Sequence, residues 1–142
     1  EDITWRSTTI RAASDHIIIV PNSKLADMTV TNYYLPQHEI TFGVEVGVSY
    51  DSDLTKVEKI TKEVIKETLV ESADGVKEFE PDISFVAFAE SSIRLKAFLR
   101  VNNYSAQFQV RSKFLKKLHE RYSKEGISIP YPMRTVLMKA EK

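Results

Sequence analysis

The hydrophobic pattern of this chain changes period at Asp51, and that change limits the folds open to it. Residues 39–50, EITFGVEVGVSY, alternate apolar and polar side chains, as half-buried strands do. From residue 54 to 69 the apolar side chains recur at helical spacing instead. Asp53 precedes this segment and is a favourable residue to cap a helix start; a capping box of Thr55 with Glu58 is the alternative. The pattern predicts a strand followed by a helix.

The same two periods recur in the second half of the chain. Residues 82–90 and 94–102 alternate on either side of a short polar link, which predicts a hairpin. Residues 105–125 are helical, with an apolar stripe of residues four apart and Gly126 as the terminating residue. Residues 135–139 predict a last strand. The order β-α-β-β-α-β is that of a ferredoxin-like domain, a four-stranded antiparallel sheet with two helices on one face.

The first third of the chain is rich in β-forming residues. Residues 3–12 predict one strand, residues 13–16 a turn, and residues 30–35 a further strand. The apolar run Ile17–Val20 predicts a strand that is buried on both faces. Pro21 cannot donate to a sheet ladder, so the strand ends there, and Asn22 with Ser23 can close a turn.

These short strands predict a small all-β domain of the sandwich or barrel kind, Sm- or SH3-like. The segment Pro36–Glu39 interrupts the strand pattern and predicts the domain boundary. The chain is therefore expected to be α+β, with a β domain over residues 1–38, whose N-terminal part is missing, and a ferredoxin-like domain over residues 39–142.

Composition excludes several functions. The chain of 142 residues has no cysteine, so disulfides, thiol catalysis and cysteine zinc sites are excluded. No run of 18 apolar residues is present to span a membrane. Residues 1–50 carry three basic and six acidic side chains, and residues 51–142 carry 17 and 14, so neither part has the charge of a nucleic-acid-binding domain.

No motif predicts a catalytic, metal or cofactor site. Asp51-Ser52-Asp53 starts like a calcium loop, but Lys56 stands where the loop needs glycine and Lys62 where it needs glutamate. Helix capping explains this segment better. The sequence RLKAFLRVN has the aromatic and basic residues of an RNA-binding strand, yet it lacks the glycine-aromatic core of that signature. A structural or assembly role is favoured over an enzyme.

Four segments carry a family resemblance, and they occur in one order: STTIRAASDHIIIVPNSKLADMTVTNYY, GVSYDSDLTKVEKI, ESSIRLKAFLRV and EGISIPYP. Together they resemble the cytoplasmic region of small-conductance mechanosensitive channels, the MscS family. The residues of the family motif are Pro21, Asn22, Gly47, Tyr50, Asp51, Asp53, Pro130 and Pro132.

The resemblance implies a part of a homoheptameric membrane channel, on the cytoplasmic side of the cell membrane. Transmembrane helices of the same chain would precede the β domain. Ions and small osmolytes would pass through side portals, a hollow vestibule and the pore. No cofactor and no nucleic acid are implied as partners.

One departure concerns the portals. The family often carries a Glu-Phe pair at the positions that Gly43 and Val44 occupy here, so the expected portal charges are the nearby Glu39 and Glu45. The alternative function is a soluble ferredoxin-like module that senses a small ligand or drives oligomerisation.

Overall fold

The computed structural model describes residues 2–12, 14–32 and 38–132. The chain divides after Asn32 into two compact units, here called the β unit (up to residue 32) and the α/β unit (from residue 33). The predicted boundary segment, residues 36–39, lies partly outside the described residues. Each unit contains one small antiparallel sheet, so the predicted α+β class is confirmed.

The β unit is one sheet of three strands followed by a short helix. Its strands are β1 (Asp2–Ile3), β2 (Ser7–Arg11) and β3 (Ile17–Pro21), paired antiparallel in the order β1-β2-β3. Helix α1 (Asn22–Ala26) follows directly. The turn between β2 and β3 was predicted, and Asp15 takes a positive φ of 63° in it.

The predicted single strand over residues 3–12 is wrong, because a turn separates β1 from β2. The Thr4 amide donates to the Ser7 carbonyl at 2.9 Å, and the Ser7 amide donates back to Thr4 Oγ1 at 3.0 Å. These local hydrogen bonds compete with an extended chain, as hydroxyl side chains commonly do.

The prediction that Ile17–Val20 is buried on both faces is also wrong for the single chain. Ile17, Ile18 and Ile19 are 58%, 43% and 67% exposed. No described residue of the β unit is buried, and α1 buries none of its side chains. The strand composition was correctly interpreted, but the described part of this unit supplies no second layer to cover it.

Two smaller predictions fail beside it. Asn22 and Ser23 do not close a turn, since they begin the five-residue helix α1. The predicted strand over residues 30–35 is absent at 30–32, and residues 33–35 lie outside the described part.

The α/β unit follows the predicted order. Its elements are β4 (Ile40–Val48), α2 (Leu54–Glu71), β5 (Asp82–Phe88), β6 (Ile93–Val101) and α3 (Ala106–Glu125). The sheet is antiparallel in the order β4-β6-β5. The strand predicted at 135–139 lies outside the described residues.

The core of the α/β unit lies between one face of this sheet and the two helices. Every second residue of β6, from Ile93 to Val101, is buried, as are Phe42, Val44 and Val48 of β4. The predicted stripe of α3 is buried against them: Val110, Phe114, Leu118 and Tyr122. The apolar residues that alternate along the strands and those at helical spacing thus pack together in one core.

Candidate functional site

Except for Pro132, the residues predicted from the family resemblance fall in three places. Pro21 and Asn22 lie in the β unit, at a contact here called the Asn22 junction. Tyr50, Asp51, Asp53 and Pro130 surround the start of α2, at what we call the helix-start cleft. Glu39, Glu45 and Gly47 lie along β4, on or beside its helix-free side, here called the open sheet face.

The Asn22 junction fixes the turn between β1 and β2. Pro21 is the last residue of β3 and pairs with Ser7. The backbone amide of Asn22 donates to the Arg6 carbonyl at 2.9 Å, and its side-chain Nδ2 donates to the Thr4 carbonyl at 2.9 Å. Its Oδ1 accepts from Thr8 Oγ1 at 2.8 Å. One side chain therefore ties the end of β3 to both sides of a turn that is distant in sequence.

In the helix-start cleft, Asp53 caps α2 as predicted. Its Oδ1 accepts from the amides of Thr55 at 2.9 Å and Lys56 at 3.2 Å, which satisfies donors that a helix start leaves free. Asp51 is exposed and makes no such bond; only its amide contacts Ser49 Oγ, at 3.4 Å. The two aspartates of this motif thus have different surroundings.

The chain after α3 lies against this helix start. Gly126, at a φ of 71°, ends α3 in the left-handed region that favours glycine. The Ser49 amide then donates to the Ser128 carbonyl at 3.0 Å. Lys56 Nζ donates to the Glu125 carbonyl at 2.7 Å and lies 3.2 Å from the Glu125 carboxylate. Two motifs more than 70 positions apart therefore meet in one place.

These groups surround an open cleft of about 620 Å³. Pro130 is half-buried in its wall, while Pro132 is exposed and outside it. Tyr50 lies at its edge, where its hydroxyl donates to the Ala89 carbonyl at 2.6 Å and its ring stacks on Phe88. Within residues 2–12, 14–32 and 38–132, no group of three or more acidic or histidine side chains could hold a metal ion.

The open sheet face carries charges of both signs. Glu45 is exposed on β4 and is directly opposite Lys96 of β6. Glu39 precedes β4 and lies 3.7 Å from the Arg100 guanidinium. Arg100 also donates to Thr41 Oγ1 at 2.9 Å. The two predicted portal residues are thus held beside cations of the central strand.

Glycines keep part of the open sheet face flat. A Cβ on Gly43 would collide with the aliphatic part of Lys96, which lies across that position. A Cβ on Gly47 would come within 3.0 Å of Ser92 Oγ. The sequence prediction of close packing at these glycines is consistent with both distances.

Sequence reasoning missed an extensive set of charge contacts between the two helices. The ion-pair ladder, as we call it, joins Glu63, Glu67 and Glu71 of α2 to Lys113, Lys117 and Arg121 of α3. Arg121 lies 2.9 Å from Glu63, Lys113 lies 3.3 Å from Glu71, and Lys117 contacts both Glu67 and Glu71. The signal was present as an acidic series and a basic series, each at intervals of four residues.

Glu71 contacts two lysines of the ladder. Hydrogen bonds from Lys117 and then Lys113 hold the pKa of its carboxyl below the ordinary value. Lys56 was missed for another reason, since its partner Glu125 is 69 positions away and no local pattern joins them.

Comparison with known proteins connects these features to one family. The profile described as "Mechanosensitive ion channel, beta-domain" matches residues 1–35. The profile described as "Mechanosensitive ion channel MscS, C-terminal" matches residues 42–129, more than half of the chain. The two matches fall on the β unit and the α/β unit in the order in which the family has them.

Relatives and solved structures agree with these matches. The large-conductance mechanosensitive channel MscMJLR of Methanocaldococcus jannaschii is 30% identical over 99% of this chain and 40% of its own length. The small-conductance channel MscMJ of the same organism is 25% identical, with the same coverage. The chain thus spans about two-fifths of these relatives.

The fold itself is that of a solved channel structure. Helicobacter pylori MscS in its closed state has a TM-score of 0.82 and 19% identity, over 99% of this chain and 54% of the other. Arabidopsis thaliana MSL1 gives a TM-score of 0.68. The chain therefore belongs to the MscS family of mechanosensitive ion channels and corresponds to its C-terminal region.

Proposed function

We propose that this chain forms part of the cytoplasmic vestibule wall of an MscS-like mechanosensitive channel. In that role it stands beneath a membrane pore whose helices belong to the same protein, on the cytoplasmic side of the cell membrane. No helix among the described residues is long and apolar enough to cross a bilayer. Tension sensing and the pore would belong to the membrane-spanning part of the channel.

The exposed isoleucines of β3 are the observation that carries this proposal. An apolar strand whose unit has no buried residue in its described part is typical of a surface that another chain covers. In a ring of identical subunits, each β3 would be covered by a neighbour through head-to-tail contacts that close at a fixed rotation. Seven subunits are the number that the family resemblance implies.

We further propose that ions and small osmolytes pass beside the open sheet face. Selectivity in such a portal depends on its width and on the charges that line it. Glu39 and Glu45 are the acidic groups assigned to that lining, with Lys96 and Arg100 as the cations that partly balance them. Permeation of this kind requires no general acid, nucleophile or cofactor.

Patch clamping tests the channel assignment. The protein is produced with the coding sequence upstream of Glu1, reconstituted in bilayers and held under suction. Stepwise currents that begin at a reproducible pressure are the expected result. Preparations that insert into the bilayer and pass no pressure-gated current would contradict the proposal.

A substitution in β3 tests the role of the isoleucines. Ile19→Lys places a charge on the exposed strand and should reduce the fraction of rings in sedimentation of the detergent-solubilised protein. Val70→Lys is the matched control, because Val70 is a half-exposed apolar residue of α2. Equal ring fractions for Ile19→Lys and the unaltered protein would remove β3 from the interface.

The proposed portal lining is tested by removing the negative charges of its two glutamates. Glu45→Gln and Glu39→Gln should each lower the preference for cations over anions in a salt gradient, while the pressure threshold stays the same. An unchanged reversal potential in the double variant would show that these carboxylates do not line the permeation path.

A further inference from the structure

A second exposed feature of the β unit lies at the turn between β1 and β2. Trp5 is 82% exposed, and the Arg6 guanidinium lies 4.3 Å from the centre of its ring. Ile3, just before the turn, is 77% exposed. An indole this open to water is unusual for a folded unit, because tryptophan is generally among the well-buried residues.

A second cation stands at the same end of the sheet. The Asn22 amide bonds to the Arg6 carbonyl, so helix α1 begins beside the turn and includes Lys24. We call Trp5, Arg6 and Lys24 the cationic tip. All three side chains are exposed, and the ion pairs of the described residues include neither Arg6 nor Lys24.

The described acidic groups of the β unit form no ion pair with Arg6 or Lys24. Asp15 lies in the turn at the other end of β2 and pairs with Arg11 at 3.6 Å. Asp2 pairs across the strands with Thr9, one step further from the turn than Ile3. Asp27 follows the end of α1. The tip therefore combines an amphipathic ring and two cations that no described carboxylate pairs with.

We propose that the cationic tip binds the surface of an anionic phospholipid bilayer. Tryptophan favours the boundary between headgroups and acyl chains, because its ring is apolar and its N–H needs a polar partner. Each lysine or arginine close to an anionic bilayer strengthens binding about fivefold at physiological salt. The lipid phosphates supply the ion-pair partners that no described carboxylate provides for Arg6 or Lys24.

This inference is independent of the vestibule role, since it depends only on the residues of one turn and one short helix. It differs from the proposed contact of β3 with a neighbouring subunit, which involves the isoleucines. The two surfaces are accordingly tested with different variants.

The fluorescence of the chain reports directly on the tip, because Trp5 is its only tryptophan. The 142-residue chain is mixed with vesicles of phosphatidylcholine containing about a third phosphatidylglycerol, and with vesicles of phosphatidylcholine alone. Only the anionic vesicles should shift the Trp5 emission to shorter wavelength and make it accessible to quenching by brominated acyl chains. Raising the salt to about 1 M, where the Debye length is about 3 Å, should reverse the shift.

Co-sedimentation with the same vesicles measures the contribution of each group. Arg6→Gln and Lys24→Gln should each lower the partition coefficient about fivefold, and the double variant about 25-fold. Lys77→Gln, an exposed cation of the α/β unit, is the matched control and should leave it unchanged. Trp5→Ala should weaken binding to anionic vesicles while leaving the circular dichroism spectrum unaltered.

Three results would overturn the proposal. Equal partition into anionic and neutral vesicles would remove the role of lipid charge, and equal partition of the double variant and the unaltered chain would remove Arg6 and Lys24. A blue shift of Trp5 that rises with protein concentration without vesicles would show that a second copy of the chain covers the tip.

Discussion

Asn22 illustrates how one side chain can organise a small sheet in which no described residue is buried. Its side-chain amide accepts a hydrogen bond from Thr8 and donates one to the Thr4 carbonyl. These two bonds hold the strands together where a larger domain would rely on packing. Pro21 directly before it ends the strand, because proline cannot extend a ladder of hydrogen bonds. The pair Pro21-Asn22 therefore has a structural explanation that requires no ligand.

We expect Asn22→Ala to destabilise the β unit by about 1–2 kcal/mol, since two side-chain hydrogen bonds are lost. Hydrogen exchange of the β2 amides should be about 5- to 30-fold faster, with the α/β unit unaffected. Asn22→Asp retains the acceptor for Thr8 but loses the donor to Thr4, so its effect should be intermediate. Unchanged exchange in Asn22→Ala would refute this role.

Tyr122 is the largest fully buried side chain of the described residues, and its hydroxyl lies 2.6 Å from Thr61 Oγ1. The hydroxyl hydrogen of Thr61 is used in a bond to the Val57 carbonyl at 2.6 Å. The Tyr122 hydroxyl is therefore the donor in its bond with Thr61 Oγ1. Burial raises the pKa of Tyr122 above its ordinary value, although the hydrogen bond with Thr61 acts in the other direction. The neutral phenol is therefore part of the stable fold.

Tyr122→Phe should cost about 1 kcal/mol of unfolding free energy at neutral pH, through the lost hydrogen bond. A raised pKa in the folded state gives stability that is complete below the unfolded pKa, about 10, and is lost as the pH rises further. The difference between the two proteins should therefore shrink above pH 10 in urea titrations. Tyr131→Phe, at an exposed tyrosine, should change neither the free energy of unfolding nor its pH dependence. If the stability difference between Tyr122→Phe and the unaltered protein did not depend on pH, the linkage would be contradicted.

At the scale of elements, α2 is held at its start and along its length by different interactions. Asp53 satisfies the free amides of the first turn, and the ion-pair ladder joins the exposed side of α2 to α3. Apolar packing between the helices and the sheet contributes most of the burial. Exposed ion pairs are individually weak, so the ladder adjusts a contact that the core already establishes.

Removing the cap should be measurable on its own. Asp53→Ala is expected to lower the free energy of unfolding of the α/β unit by about 0.5–2 kcal/mol. Asp51→Ala is the matched control, since Asp51 is exposed and caps nothing; a change within about 0.5 kcal/mol is expected. If guanidinium titrations gave the same loss of unfolding free energy for both variants, the cap formed by Asp53 would not contribute measurably to stability.

The ladder should make the α/β unit sensitive to acid. The lowered pKa of Glu71 means that its stabilising contacts are complete above the unfolded value, about 4.3, and are lost as the pH falls through the lower folded value. Thermal unfolding followed from pH 6 to pH 3 should show a smaller decline in Tm for Glu71→Gln than for the unaltered protein. Glu120→Gln, at an exposed position of α3, should decline as the unaltered protein does.

The helices and strands of the α/β unit could be predicted because each has a clear period and a polar boundary. Val110, Phe114, Leu118 and Tyr122 defined the buried side of α3 before any fold was known. The contact of Lys56 with Glu125 could not be predicted, because it depends on how two distant segments fold together. Portal lining by Glu39 and Glu45 stays a prediction.

The β unit shows where local patterns are insufficient. Four consecutive apolar residues favoured burial, but burial requires a partner surface that no local pattern supplies. Likewise, the hydroxyl of Thr4 divided a segment whose composition favours one strand. The family predicted from the sequence is confirmed, whereas the roles of the individual motif residues stay predictions.

At the scale of the whole molecule, the two units differ in how they are stabilised. The α/β unit has a continuous core, whereas the described part of the β unit has none. A lone three-stranded sheet without a buried face is marginal in water. We therefore propose that the α/β unit folds independently and that the β unit depends on its surroundings.

Expression of residues 39–142 alone tests this difference. The shortened chain should keep the helical circular dichroism signal and unfold in one cooperative transition, with a Tm close to that of the α/β unit in the 142-residue chain. A peptide of residues 1–32 should show no cooperative transition. A loss of cooperativity in residues 39–142 would show that the two units stabilise each other.

The exposed isoleucines of β3 also affect how the protein is made. Residues 17–19 leave the ribosome before any part of the α/β unit, yet in the proposed ring they are covered only when a neighbouring subunit arrives. Until then each new chain presents an uncovered apolar strand, which is a surface prone to aggregation. A segment that is synthesised before the α/β unit would thus be shielded from water after it, and the yield of intact rings would depend on how quickly sibling chains meet.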